Sequence, residues 1–141
     1  MTDVRPAPDG ADVPVVIQGG MGVGVSGWAL ARAVARAGQL GVVSGVALDA
    51  LLARRLQRGD AGGHLRRALA RFPVPAVAER VLHRYFVPGG LPEGQPFRPV
   101  PRLGLRTRRH GQELAVVANF VEVFLAKEGH DGRVGLLTVA G

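Results

Sequence analysis

The segment Gly19–Gly27, GGMGVGVSG, holds the residues whose type and spacing most directly suggest chemistry. Gly22, Gly24 and Gly27 satisfy the pattern G-x-G-x-x-G, after the apolar run Val13–Ile17 and before an amphipathic stretch. Glycines at such a turn let backbone N–H groups approach a phosphate closely, and the start of a helix adds partial positive charge. A dinucleotide fold also needs an acid at the end of its second strand to hold the ribose. Here that strand would end at Val43-Ser44-Gly45, and the next acid, Asp49, already enters a helix. A Walker-type loop needs a lysine beside its glycines, and the only lysine is Lys127. The plain alternative is that these glycines serve a tight strand-to-helix turn and nothing else.

Other reactive side chains are sparse. Cysteine is absent, which excludes disulfides, zinc-thiolate sites and a thiol nucleophile. His64, His83, His110 and His130 fall on different segments, with no i, i+4 pair and no carboxylate in metal-ligand spacing, so each reads as a surface or boundary residue. Neither Ser26 nor Ser44 sits in a G-x-S-x-G elbow, which leaves nucleophilic hydrolysis without support. Asn119 and Glu122 are polar residues within the last apolar-periodic stretch. Asn119 could be a buried hydrogen-bond anchor, but packing of that helix on the sheet is the preferred reading of both.

The elements that must position the loop follow from the periods around it. Val13–Ile17 is short, continuous and β-branched, the pattern of a strand buried on both faces of a parallel sheet. Ser26 is placed as N-cap of a helix carrying Trp28, Ala31, Val34 and Ala35, with Gly38 as its left-handed stop, and Leu40–Val43 reads as a second strand. Strand, loop, helix and strand make a βαβ unit with a right-handed crossover. Three further amphipathic helices are expected over Asp49–Gln57, Gly63–Phe72 and Ala76–Phe86. The stretch Val87–Gly111 is broken by Pro and Gly and reads as a linker with a short strand near Val100–Leu105. Glu113–Glu128 restores a helical period that Gly129 ends, and Arg133–Ala140 is a third strand.

With 21 Gly and 10 Pro in 141 residues the chain is rich in turns, and with 5% aromatics its core must be built mainly from Val, Leu and Ala. Residues 1–12 read as a disordered leader, and Val13–Ile17 is too short for a signal or membrane segment, so a cytoplasmic protein that spans no membrane is expected. The net charge is +7, and thirteen arginines between Arg54 and Arg109 face only Asp60, Glu79 and Glu93 in that stretch. Such an excess raises the question of a polyanion partner. The arginines are spread over several helices and a linker, with few aromatics to stack on bases, so a solvated face and no nucleic acid partner are favoured.

The segment from Pro14 to Gly45 resembles the start of the nitronate monooxygenase (nitropropane dioxygenase) family. LARRLQRGDAGGHLRRALARFPVPAVAERVLHRYFVPGG and ELAVVANFVEVFLAKEGHDG continue the similarity toward the branch that includes enoyl reductases of polyunsaturated fatty acid synthases. The resemblance spans most of residues 13–132 and implies an FMN enzyme on a TIM barrel, with the loop after the first strand against the isoalloxazine. By position, the cofactor-binding residues it implies are Gln18, Gly20, Met21 and Gly22. Barrel ligands sit at the C-terminal ends of strands, where this loop lies, and a flavin removes the need for a ribose acid.

The sequence departs from that family in three respects. A barrel takes about 250 residues, and in the third strand Leu137 stands where an Asn that helps hold the flavin phosphate is expected. The glycine-rich motif with the family's catalytic His is absent from the 141 residues. The expectation is therefore an α/β chain forming the first βαβ units of a partial (β/α)8 barrel with a helical insertion, over residues 13–141. It would be a fragment left by truncation or a frameshift, with no catalytic or metal-binding residue assigned. Two enzyme readings share its flavin, one with a nitronate substrate and one with an enoyl thioester. A basic interaction module built on Arg54–Arg109 is the third reading.

Overall fold

In a computed structural model describing residues 13–101 and 109–138, the sequence periods become five α-helices and a two-stranded parallel sheet among those residues. Helix α1 spans Trp28–Arg36, strand β1 Leu40–Ser44, helix α2 Leu48–Gln57, and a 3-10 turn Ala61–Gly63 leads into helix α3, His64–Leu69. Helix α4 spans Pro75–Tyr85, helix α5 Arg109–Lys127 and strand β2 Arg133–Leu137. This is a mixed α/β arrangement, and none of its helices is long and apolar enough to cross a membrane.

The sheet register sets two faces. Gly41 pairs with Val134 and Val43 with Leu136 on the face covered by α1 and α5; Leu40, Val42 and Ser44 pair with Arg133, Gly135 and Leu137 on the other. Helix α1 lies close to β1 because its contact side is Ala31 and Ala35 and because Gly41 has no side chain; an added methyl there would overlap the Ala31 carbonyl. Gly38 (φ 81°) closes α1, donating its N–H to the Ala35 carbonyl at 3.0 Å, as its position in the sequence implied. Helix α5 is the centre of the core: Leu114, Val117, Ala118, Val121, Leu125 and Ala126 are buried at helical spacing and meet Leu52, Leu56, Leu69, Val81 and Tyr85 from α2, α3 and α4. It begins at Arg109, four residues before the expected Glu113.

Two expectations need correction. Val13–Ile17 is not a doubly buried strand: only Ile17 forms a parallel bridge, to Leu40, and Val15 and Ile17 are 91% and 62% exposed. Its direction beside β1 is that of a βαβ unit, but no described element covers its faces, so its apolar side chains meet solvent. The stretch after Val87 is not a free linker either. Val87 N–H donates to Leu56 O, Leu91 N–H to Gln57 O at 2.8 Å, and Arg98 N–H to the Oε1 of fully buried Gln57 at 2.6 Å, which straps residues 87–98 along the end of α2. Gly59 (φ 93°) and Gly90 (φ 85°) permit that contact, since a Cβ on Gly59 would stand 2.7 Å from Gly90 N. The leader 1–12, most of the strand expected near Val100–Leu105 and the end of the third strand lie outside the described residues; Val100 and Pro101 are not in a strand.

Candidate functional site

The glycine loop is held by one amide and one hydroxyl. Gln18 N–H donates to Leu40 O at 3.0 Å, and Leu40 N–H donates to Val16 O. The next parallel rung, from Val42 N–H, goes not to a backbone carbonyl but to Gln18 Oε1 at 3.1 Å. Gln18 Nε2 in turn donates to Gly19 O (2.6 Å) and to Ser26 Oγ (3.1 Å). The buried Ser26 hydroxyl also accepts from Met21 N–H at 2.8 Å and donates to Gly19 O at 3.2 Å, while Ser44 N–H closes on Ser26 O at 2.9 Å. Both ends of the loop are thus stitched to β1. The Gln18 side chain is a structural part of the sheet: both Nε2 hydrogens are donated within the loop, while Oε1, which accepts from Val42 N–H, keeps one lone pair.

The expected site residues therefore separate by role. Gln18 positions the loop, Met21 presents a half-exposed side chain (48%) above it, and Gly20 lies under Leu137, whose Cδ2 would stand 2.7 Å from a Cβ added there. Gly22 faces open space, as does Gly19: each has an ordinary φ, and a Cβ at either would meet nothing within 4 Å. Gly24 by contrast needs its positive φ of 74°. The loop and Leu137 meet at the C-terminal ends of the strands, and Leu137 is half exposed (50%). The Leu137 side chain supplies no hydrogen-bond donor at this end of the sheet.

The N-terminus of α1, where the glycine pattern would place a phosphate, holds an acid of the chain itself. Ser26 does not cap this helix; Gly27 is the N-cap, with no side-chain cap of its own, and Glu122 from the middle of α5 takes the role. Glu122 Oε2 accepts from Trp28 N–H at 2.9 Å, and Glu122 Oε1 accepts from Arg55 Nη1 at 2.6 Å. Sequence reasoning placed Glu122 among packing residues; the one available signal was an acid within a helical face of otherwise apolar positions. Among the described residues Asn119, the other polar residue of that face, bonds only the Ala115 carbonyl of its own helix, at 2.7 Å, and its Oδ1 is buried without a partner. A cleft of about 540 Å³ opens beside this clasp, between the first turn of α1 and Arg58, Asp60 and His64.

Burial raises the Glu122 carboxyl above the usual range, against the pull of Arg55 and of the Trp28 N–H. The folded protein thus retains the Glu122 proton at pH values where the unfolded chain, near pH 4.3, has lost it. The contribution of this group is fully present below that value and falls as the pH rises through the folded-state value. Glu113, bonded by Arg80 and Arg109, and Glu128, bonded by Arg67, are held below the usual range and behave oppositely: their contribution is present above pH 4.3 or so and is lost as pH falls. Thermal unfolding of the parent and of Glu122→Gln between about pH 4 and about pH 7 checks the first sign: the gap between them narrows as pH rises.

The remaining expected candidates are accounted for locally. His130 accepts from Gly132 N–H at Nδ1 (3.0 Å) beside the end of α5, His64 lies against Trp28 with ring centroids 5.2 Å apart, and His110 Nε2 is 3.2 Å from Tyr85 Oη. Among the described residues no group of His, Asp or Glu could hold a metal ion. No known protein family, curated protein or solved structure matches the chain.

Proposed function

We propose that the loop Gly19–Gly22 is the flavin-facing wall of an FMN-dependent oxidoreductase of nitronate monooxygenase type, and that the βαβ unit around it is the opening part of a (β/α)8 barrel. The observation that carries this reading is the pair Gly19 and Gly22. Neither has a left-handed φ and neither is pressed by a neighbour, so the protein's own packing does not call for glycine at either place. Glycine in such a place costs about 0.5–1 kcal/mol of folding entropy relative to alanine. A flat ligand lying on the backbone gives that cost a purpose. In this reading the backbone of Gly19–Gly22 and the Met21 side chain hold the ring, with Leu137 closing its lower edge, while Gln18 and Ser26 fix the loop. Bound FMN supplies a flavin N5 able to accept a hydride or electrons from a nitronate or, in the enoyl reductase variant, to pass them to an enoyl thioester.

Because phosphate partners are missing at Leu137, the 141-residue chain should bind FMN weakly and lose it on desalting. Titration followed by quenching of flavin fluorescence tests the contact. Gly22→Ala should weaken binding about tenfold, a loss of about 1.4 kcal/mol, while raising the urea unfolding free energy by about 0.5–1 kcal/mol. Binding that is equal in Gly22→Ala and the parent, or no saturable quenching in either, removes the proposal.

A further inference from the structure

A second cleft, of about 990 Å³, lies on the far side of α4, between that helix, the strapped segment at Arg98-Pro99 and the first turn of α5. We propose that it binds a phosphate or diphosphate group of a small molecule, held by Arg84, Arg98 and His110.

Two cations of the cleft, Arg98 and Arg80, are held before any ligand arrives. Arg98 is placed by two bonds, its N–H to the buried Gln57 Oε1 at 2.6 Å and its guanidinium to the Arg84 carbonyl. Arg80 is held by Glu113 at 2.8 Å, and Glu113 also takes Arg109 at 3.0 Å, so that carboxylate is shared between two guanidinium groups. Among the described residues no carboxylate pairs with Arg84 or Arg98, and Glu79 is the only acid lining the cleft. A guanidinium has five donors in a rigid fork, and among the described residues that of Arg98 makes one bond, to the Arg84 carbonyl.

Helix α5 adds to the same field. Its first turn contains no acid and instead carries Arg109 and His110 at the positive end of a 19-residue helix, an unfavourable arrangement that an external anion relieves. His110 stacks on Tyr85 at 6.0 Å and faces Arg80 and Arg84 from α4, with Arg109 and Glu113 as its neighbours on α5 and Arg98 across the cleft. Partial burial first, then Arg84 and Arg80, lower its pKa, and Glu113 opposes them only in part. Two guanidinium groups with two imidazoles, His110 and His83, match an oxyanion of at least two negative charges better than a single carboxylate. Arg55, Arg66 and Arg67 are paired to Glu122, Asp60 and Glu128, whereas this cleft brings Arg84 and Arg98 together beside His110 with no carboxylate on either among the described residues. The site is separate from the glycine loop and does not depend on the flavin reading.

Isothermal titration of the full chain with inorganic phosphate, inorganic diphosphate and adenosine diphosphate tests the proposal. Saturable one-site binding is expected for diphosphate, tighter at about pH 6 than at about pH 8 because the bound anion raises the His110 pKa. Equal affinity for adenosine diphosphate shows recognition of the phosphates alone, and higher affinity shows that the cleft also takes the nucleoside; both support the site. Arg84→Gln and Arg98→Gln should each weaken binding about tenfold, and His110→Gln should flatten the pH dependence, with unfolding temperatures near that of the parent. Arg36→Gln, at the end of α1, should change nothing. The proposal is overturned by no saturable heat with diphosphate, by an equal loss in Arg36→Gln, or by binding of a single-stranded oligonucleotide without binding of diphosphate. If either cleft variant is unstable, the shift of the His110 ring resonances on adding diphosphate to the parent decides: no shift rejects the site.

Discussion

Arg55→Met is expected to lower the unfolding free energy by about 3 kcal/mol at neutral pH, and by much less in mild acid. Among the described residues Arg55 is the only cation paired with Glu122, whose side chain is 5% exposed, and the methionine keeps the aliphatic stem while removing the charge. At neutral pH the folded variant must either hold an unpaired buried carboxylate beside the start of α1 or take up a proton, and both cost free energy. As the pH falls the carboxyl is protonated in any case, and the protonated acid needs no cation. Urea unfolding of parent and variant at about pH 7 and about pH 5 reads the difference directly. A loss of equal size at both pH values would mean that Arg55 acts by packing rather than by charge. Trp28 fluorescence offers a second readout, since the Trp28 N–H is the other partner of Glu122.

Gly41→Ala is expected to destabilise the protein by about 3 kcal/mol or more. The methyl would overlap backbone, the Ala31 carbonyl, so no side-chain rotation relieves it and α1 must move off β1. Because Ser26 and Gly27 enter α1 directly, that movement also pulls on the glycine loop. Chemical denaturation of Gly41→Ala beside Gly22→Ala separates the two kinds of glycine: the first should fail in stability, the second in ligand binding alone. If Gly41→Ala unfolds with the parent's midpoint, the close approach of α1 to β1 is wrong.

The helices were legible because apolar spacing reports which face of a local segment is buried. Trp28–Arg36 and Pro75–Tyr85 appear where the 3.6-residue period places them, as does the long α5 from Glu113 onward, and Gly38 ends α1 for the backbone reason its position implied. The parallel sense of the segment at Ile17 beside β1 was also legible, since a strand, a helix and a strand in so few residues leave only that connection. Burial of Val13–Ile17 was not: a continuous β-branched run states what a segment would gain by being covered, and not whether anything covers it.

The sequence by itself determined the local elements, the position of the glycine loop between Ile17 and α1, and the surplus of arginine over acid between Arg54 and Arg109. Tertiary structure alone decided which polar groups meet. Glu122 reaches the Trp28 N–H across 94 residues, Gln57 anchors Arg98 across 41, and the Gln18 amide replaces a strand carbonyl in the sheet. The physical reason is that the hydrophobic effect acts on area and leaves a periodic trace along the chain. A buried hydrogen bond instead depends on the position and direction of two groups that only the assembled fold brings together. The same distinction separates the two clefts: arginine content is a property of composition, and which arginines are neutralised by a carboxylate is a property of packing.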